Sequence, residues 1–217
     1  MTDTPTIDSA LANAELVVRT IAEEAVAQEE YFGSLDAVVG DGDFGYSLAR
    51  GFEFVIAEWD NIDRTDAGAF LTNVAVMITG HIGGTSGPLW GTAFLRAGAH
   101  CMGRTELGAA DVVEALRGAI EGIKKRGKAD VGDKTLLDAL VPAVDELEAA
   151  FAAGKDTKAA LATMARAARE AAEATSSLEA RRGRASYSGE RSIGSVDAGA
   201  VGVAVLIERV ATIWPTN

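Results

Sequence analysis

Apolar residues recur along this chain at intervals of three and four, the period of one helix face. Ile7, Leu11, Ala14, Val18, Ile21 and Ala25 form the first such stripe. Phe70, Leu71, Val74, Met77 and Ile78 form another, and Val112, Val113, Leu116, Ile120 and Ile123 a third. Leu136, Leu137, Leu140, Val141, Val144, Leu147 and Phe151 repeat it most cleanly, and an alanine-rich stretch of high helix propensity follows from Thr157 to Ala180. No stretch alternates for long in the manner of a strand. The pattern predicts eight helices, near 6–32, 45–60, 66–81, 88–103, 109–126, 134–153, 157–180 and 198–214. Pro142 falls inside the sixth and should bend it. Short glycine-rich connections favour antiparallel neighbours. The fold expected is all-α: an eight-helix antiparallel up-and-down barrel, as one domain over 1–217.

Four connections are too rich in glycine, hydroxyls and charge for a plain bundle: 36–47, 83–87, 127–135 and 183–199. They follow the first, third, fifth and seventh predicted helices. If helices alternate up and down, all four meet at one end of the bundle. That parity predicts one composite site.

The 217 residues, 48% of them hydrophobic, suit a single domain with a sizeable core. No apolar run is long enough for a membrane span, and the N-terminus lacks the pattern of a secretory signal. The single Cys101 cannot form an internal disulfide, in agreement with a reducing cytoplasm, and is expected as core filler. A net charge of −12 argues against nucleic acid as partner. Two local basic clusters, Lys124-Lys125-Arg126-Gly127-Lys128 and Arg181-Arg182-Gly183-Arg184, could meet phosphates; cations decorating a helix C-terminus explain the first as well.

The richest chemistry lies in Asp36-Ala37-Val38-Val39-Gly40-Asp41-Gly42-Asp43-Phe44-Gly45. Three clustered carboxylates repel one another unless a cation sits among them. Glycines on either side let the oxygens converge, and hard oxygen donors suit Mg²⁺ or Ca²⁺ rather than zinc. An EF-hand counted from Asp41 fails, because Gly45, Tyr46 and Phe52 stand at its fifth, sixth and twelfth positions. Asp43 as a helix N-cap would account for one aspartate, not three.

Gly83-Gly84-Thr85-Ser86-Gly87-Pro88 reads either as a simple turn or as a helix N-terminus open to an anion, with Pro88 as first helical residue. Lone His81 and His100 lack a second ligand at zinc spacing. Gly127 to Thr135 resembles a Walker A loop, but Asp133 interrupts it and a helix precedes it, so no P-loop is expected. Gly183 to Gly194 mixes guanidinium, hydroxyl and glycine; phosphate recognition and an ordinary surface loop both fit it. Val-Gly-Asp occurs at 39–41 and again at 131–133, with no wider repeat.

Four ordered motifs together resemble the nucleotide-binding L subunit of dihydroxyacetone kinases over about 7–214. They are Asp36-x4-Asp41-Gly42-Asp43-x-Gly45, Gly84-Thr85-Ser86-Gly87-Pro88-Leu89-Trp90-Gly91, Gly132-Asp133-Lys134-Thr135-Leu136-Leu137-Asp138, and Gly183-Arg184-Ala185-Ser186-Tyr187 through Gly189-Glu190-Arg191-Ser192-Ile193-Gly194. The resemblance implies a helical barrel with ADP or ATP at one rim and two Mg²⁺ ions held by Asp36, Asp41 and Asp43. It implies nucleotide contacts at Phe44, Gly45, Tyr46, Ser47, Gly84, Thr85, Ser86, Gly127, Leu136, Arg184, Asp197, Ala198 and Gly199. It further implies a separate K subunit that holds a small ketose through a histidine, and in one branch a phosphotransferase-system protein as phosphoryl donor. Three residues depart from the family pattern. Phe44 stands where His or Thr is frequent, Ser195 where His is common, and Ala198 where Pro is frequent. Other readings are a nucleotide-sensing partner of a transcriptional regulator, and a module of a fatty-acid kinase.

Overall fold

The computed structural model describes residues 9–215; the predicted helix start at residue 6, and Ile7, lie outside the described residues. Among those described there are nine α-helices and no strand. They are α1 (Ser9–Ala27), α2 (Glu29–Asp36), α3 (Phe44–Ala57), α4 (Ala67–His81), α5 (Ser86–Cys101), α6 (Ala109–Gly127), α7 (Leu137–Ala152), α8 (Thr157–Ala174) and α9 (Ala198–Ile213). Short 3₁₀ turns cover Trp59–Asn61, Thr175–Ser177 and Arg184–Ser192.

Eight expected helices become nine because the first breaks at Gln28 (φ −99°, ψ 12°). Hydrogen bonds run on across the break, from Gln28 N–H to Glu24 O and from Phe32 N–H to Gln28 O, which is why periodicity alone conceals it. The break turns α2 so that Phe32 is fully buried and its backbone meets the first turn of α3. A Cβ on Gly45 would stand 2.0 Å from Glu29 O, so only glycine admits that approach.

Three other boundaries move for local reasons. The alanine-rich helix stops at Ala174, six residues short of the expected Ala180. There Thr175, Ser176 and Ser177 each donate a side-chain hydroxyl to the carbonyl three residues back, which competes with the helical ladder. α5 begins at Ser86 rather than Pro88; a proline is tolerated throughout a first turn, whose N–H groups have no intrahelical acceptor. α7 begins at Leu137 rather than at 134, because Lys134 takes a left-handed conformation (φ 60°). Pro142 lies inside α7 as expected.

From α2 to α9 consecutive helices pack on one another, α1 packs on α3, and α9 returns to α1 and α2, so the ring of helices closes. Two clusters fill it. One joins α1 to α5 and is built on large side chains such as Phe32, Leu48, Phe52, Phe70 and Ile78. The other joins α6 to α9 and is built largely on alanine, including Ala139, Ala143, Ala160, Ala168, Ala172, Ala200 and Ala204. Small residues bring those helices close; each fully buried Phe or Ile in the first cluster adds about 1.5–3 kcal/mol. Cys101 is buried core, and burial pushes its thiol pKa up. No helix of the described residues is long and apolar enough to cross a membrane.

Candidate functional site

All four glycine-rich loops line one cavity of about 500 Å³ at one end of the ring. The alternation of helix directions thus gathers segments that lie far apart in sequence.

Asp36, Asp41 and Asp43 project one oxygen each into a cluster within 4.8 Å of one another. Their placement depends on two glycines. Gly40 crosses over Asp36 so closely that a Cβ there would meet its carboxylate at 2.2 Å. Gly42 takes φ 77°, which reverses the chain between the other two aspartates. Asp43 occupies the N-cap position of α3 but makes no side-chain capping bond, so its carboxylate is not consumed by the helix. Asp36 accepts a hydrogen bond from Phe44 N–H at 3.3 Å. Arg184 answers the negative charge, pairing with Asp41 and lying 3.3 Å from Asp43.

The Phe44 ring points the other way. It is buried against Phe32, ring centroids 5.8 Å apart, and a Cβ on Gly202 of α9 would touch it at 3.2 Å. The contribution of position 44 to the cavity is therefore backbone and packing. Gly45 is enclosed against α2, as described above. Tyr46 is exposed and has Arg50 over its ring, and Ser47 lies near Gly83. These three do not line the cavity.

Gly84, Thr85 and Ser86 form the cavity wall where α5 begins. Gly84 has φ 65°, and Thr85 precedes the helix without capping it through its side chain. The first N–H groups of α5 thus remain for another acceptor. Gly127 ends α6 and lines the cavity beside Arg126. Elsewhere in that basic cluster, Lys124 pairs with Asp130 at 2.9 Å. Leu136, Ala198 and Gly199 also line the cavity.

Asp197 caps α9, accepting from Ala200 N–H at 2.7 Å. Burial, opposed by this cap, pushes its carboxyl pKa up to about 7; the like charges of Asp138 and Asp36 add to the rise, and Lys134 opposes it. Leu89, Trp90, Ile123, Leu137 and Val196 give the cavity an apolar flank. Trp90 and Leu89 stood inside a recognised motif. Ile123 and Val196 carried no signal, since an apolar residue in a helix stripe or a loop looks like any other core position.

Both histidines are structural. His81 stacks on Phe54, ring centroids 3.5 Å apart, and its Nδ1 lies 2.9 Å from Met77 O. His100 faces Asp111 and Glu114 at the far end of α5. The loop that resembles Walker A cradles nothing in that manner: Asp138 accepts from Gly132 N–H (2.6 Å) and Thr135 N–H (2.7 Å), and Lys134 points its ammonium at three carbonyls.

Comparison with known proteins bears on this geometry. Residues 38–212 match the family model of the DAK2 domain. The ADP-binding subunit DhaL of the PEP-dependent dihydroxyacetone kinase of Escherichia coli is 38% identical over 85% of this chain and 88% of its own. The L-erythrulose 1-kinase of Mycolicibacterium smegmatis is 39% identical over 90% of this chain, which matches 34% of that longer protein. The dihydroxyacetone kinase of C. freundii in complex with AMP-PNP and Mg²⁺ superposes with a TM-score of 0.70 at 27% identity; the match covers 94% of this chain and 33% of that one. The chain belongs to the DAK2 domain family, in the group of dihydroxyacetone kinase ADP-binding L subunits.

Proposed function

We propose that this chain is the nucleotide-binding subunit of a kinase that phosphorylates a small ketose, in a cytoplasmic complex with a K subunit that holds the ketose. The observation that carries the reading is the convergence of three clustered carboxylates, a helix N-terminus and an arginine on one cavity, in a member of this family. ADP or ATP would lie with its phosphates toward Asp36, Asp41, Asp43 and Arg184 and its base toward Leu89, Trp90 and Leu136. Gly84, Thr85, Ser86, Gly127, Asp197, Ala198 and Gly199 would line it, and Gly45, Tyr46 and Ser47 would support it from behind.

The donor set fits Mg²⁺: carboxylate oxygens only, clustered, on a glycine-hinged loop. Mg²⁺, two ions in this reading, would neutralise phosphate charge. The chain's own residues then position and screen. Arg184 balances negative charge as a planar donor, the α5 N-terminus offers N–H groups to phosphate oxygens, and the apolar flank excludes water from the base. Positioning and electrostatics are most of what phosphoryl transfer requires of a protein, so no nucleophile is assigned to this chain. Residues 1–217 would form one domain. A phosphotransferase-system protein is the donor in the PEP-dependent mode, and tri- and tetruloses are the substrate class.

Purified chain, a candidate K subunit, dihydroxyacetone or erythrulose, and either ATP or a phosphotransferase-system donor should together give phosphorylated ketose, and neither chain alone should. Efficient turnover by this chain alone would refute the division of labour. No Mg²⁺-dependent ADP binding by calorimetry would refute the nucleotide assignment.

A further inference from the structure

Lys134 is the one lysine among the largest fully buried side chains, 2% exposed, and the proposed chemistry makes no use of it. It also holds a left-handed backbone (φ 60°) that a side chain disfavours. Asp138 maintains that conformation by accepting the N–H groups of Gly132 and Thr135, on either side of Lys134. The ammonium has three N–H donors and three acceptors: Leu178 O at 3.0 Å, Ser195 O at 2.7 Å, and Ser192 O. Leu178 precedes the Arg184–Ser192 turn; Ser192 ends it and Ser195 follows it.

Apolar packing does little to hold that turn. Tyr187 is 88% exposed and Ile193 is exposed, so it has few apolar anchors. Ser188 Oγ reaches Val39 O in the aspartate loop (3.4 Å), and its other ties are polar too: Arg181 N–H to Asp133 O (3.0 Å), Arg182 Nε to the Asp133 carboxylate (3.2 Å), Ala180 N–H to Ser192 Oγ (2.9 Å) and Gly194 N–H to Ser176 O (2.8 Å). The latter gather around the same point. Arg184, at the start of the turn, reaches Asp41 and Asp43 while its own side chain remains more than half exposed.

We propose that Lys134 is a positioning residue: its ammonium ties both ends of the 178–195 segment together and so sets where Arg184 stands over the aspartate cluster. A buried cation solvated by carbonyls from two sides of a loop acts as an internal staple, since releasing it strands a charge and three acceptors at once. Its functional consequence rests on the nucleotide reading given above; its structural consequence does not.

Lys134→Met keeps the unbranched stem of the side chain and removes the ammonium. Limited trypsin digestion of the nucleotide-free chain reads the segment directly, because Arg182, Arg184 and Arg191 lie within it. Cleavage there should speed up about tenfold while the helical circular dichroism is kept, as expected for local opening. Mg²⁺·ADP affinity should fall about tenfold, Arg184→Ala should cause a similar fall, and the double variant should lose no more than either alone. Unchanged digestion would overturn the staple. Additive losses of affinity would overturn its action through Arg184. Faster digestion with ADP affinity untouched in both Arg184→Ala and Asp41→Ala would support the staple and refute the nucleotide reading. If Lys134→Met fails to fold, Lys134→Gln, which keeps two N–H donors, should show the same pattern at about threefold, and unchanged digestion in it would equally overturn the proposal.

Discussion

Val39-Gly40-Asp41 and Val131-Gly132-Asp133 are the same tripeptide in two loops of one rim, with opposite fates. Asp41 stands at the cavity with two other carboxylates, and the long side chain of Arg184 answers it. Asp133 is tied down: its carboxylate accepts Asp130 N–H at 3.1 Å and lies 3.2 Å from Arg182 Nε, and its carbonyl takes Arg181 N–H. The glycines differ too. Gly40 is pressed against the Asp36 carboxylate, whereas Gly132 has open space around it and needs only its φ of 93°. An acidic loop becomes a binding site when its lone pairs are left over after the backbone has been satisfied. Where backbone N–H groups use them up, the same residues are scaffold.

The largest effect that would sharpen this contrast is expected at the first loop. Asp41→Ala should lower Mg²⁺·ADP affinity about a thousandfold in calorimetry and leave the melting temperature nearly unchanged, since its loss also relieves like-charge repulsion. A melting temperature that fell with the affinity would break the contrast. Next comes the scaffold loop. Asp138→Ala strands two half-buried N–H groups and should cost about 2 kcal/mol of stability in urea titration; a wild-type midpoint would show that these bonds hold nothing.

The two glycines give a smaller, paired test. Gly40→Ala should displace the Asp36 carboxylate and weaken Mg²⁺·ADP binding about tenfold. Gly132→Ala should instead cost about 1 kcal/mol of stability from its positive φ and leave binding alone. Exchange of these outcomes would mean the loops had been assigned the wrong way round.

The last test concerns pH. Asp197 titrates near 7 in the fold and near 3.8 when unfolded, so the folded state binds the extra proton between those values. Its contribution to stability is full below pH 3.8, declines as pH rises, and is lost above about 7. Asp197→Asn can still cap α9 and should flatten the stability profile over that window; an identical slope in the variant would place the titration elsewhere.

Much of the fold was legible because helical periodicity is local. The stripes through Val74, Ile120 and Leu147 mark positions that are buried in the structure. Its errors were at ends and breaks: Gln28, where hydrogen bonds cross the kink, and Thr175 to Ser177, where hydroxyls capture carbonyls. At the site, glycine, aspartate and arginine announced themselves by composition. The apolar flank of Ile123 and Val196 did not, because nothing in a sequence distinguishes a hydrophobic wall facing a cavity from one facing a core.

By itself, the sequence determined an all-helical chain whose polar loops share one rim, because helix period and loop parity are properties of order along the chain. Only the tertiary structure decided which carboxylates face the cavity, that Phe44 turns into the core, and that Lys134 staples a loop instead of meeting a phosphate. Those outcomes depend on which hydrogen-bond partners arrive from distant segments, and residue type and spacing do not encode that arrival.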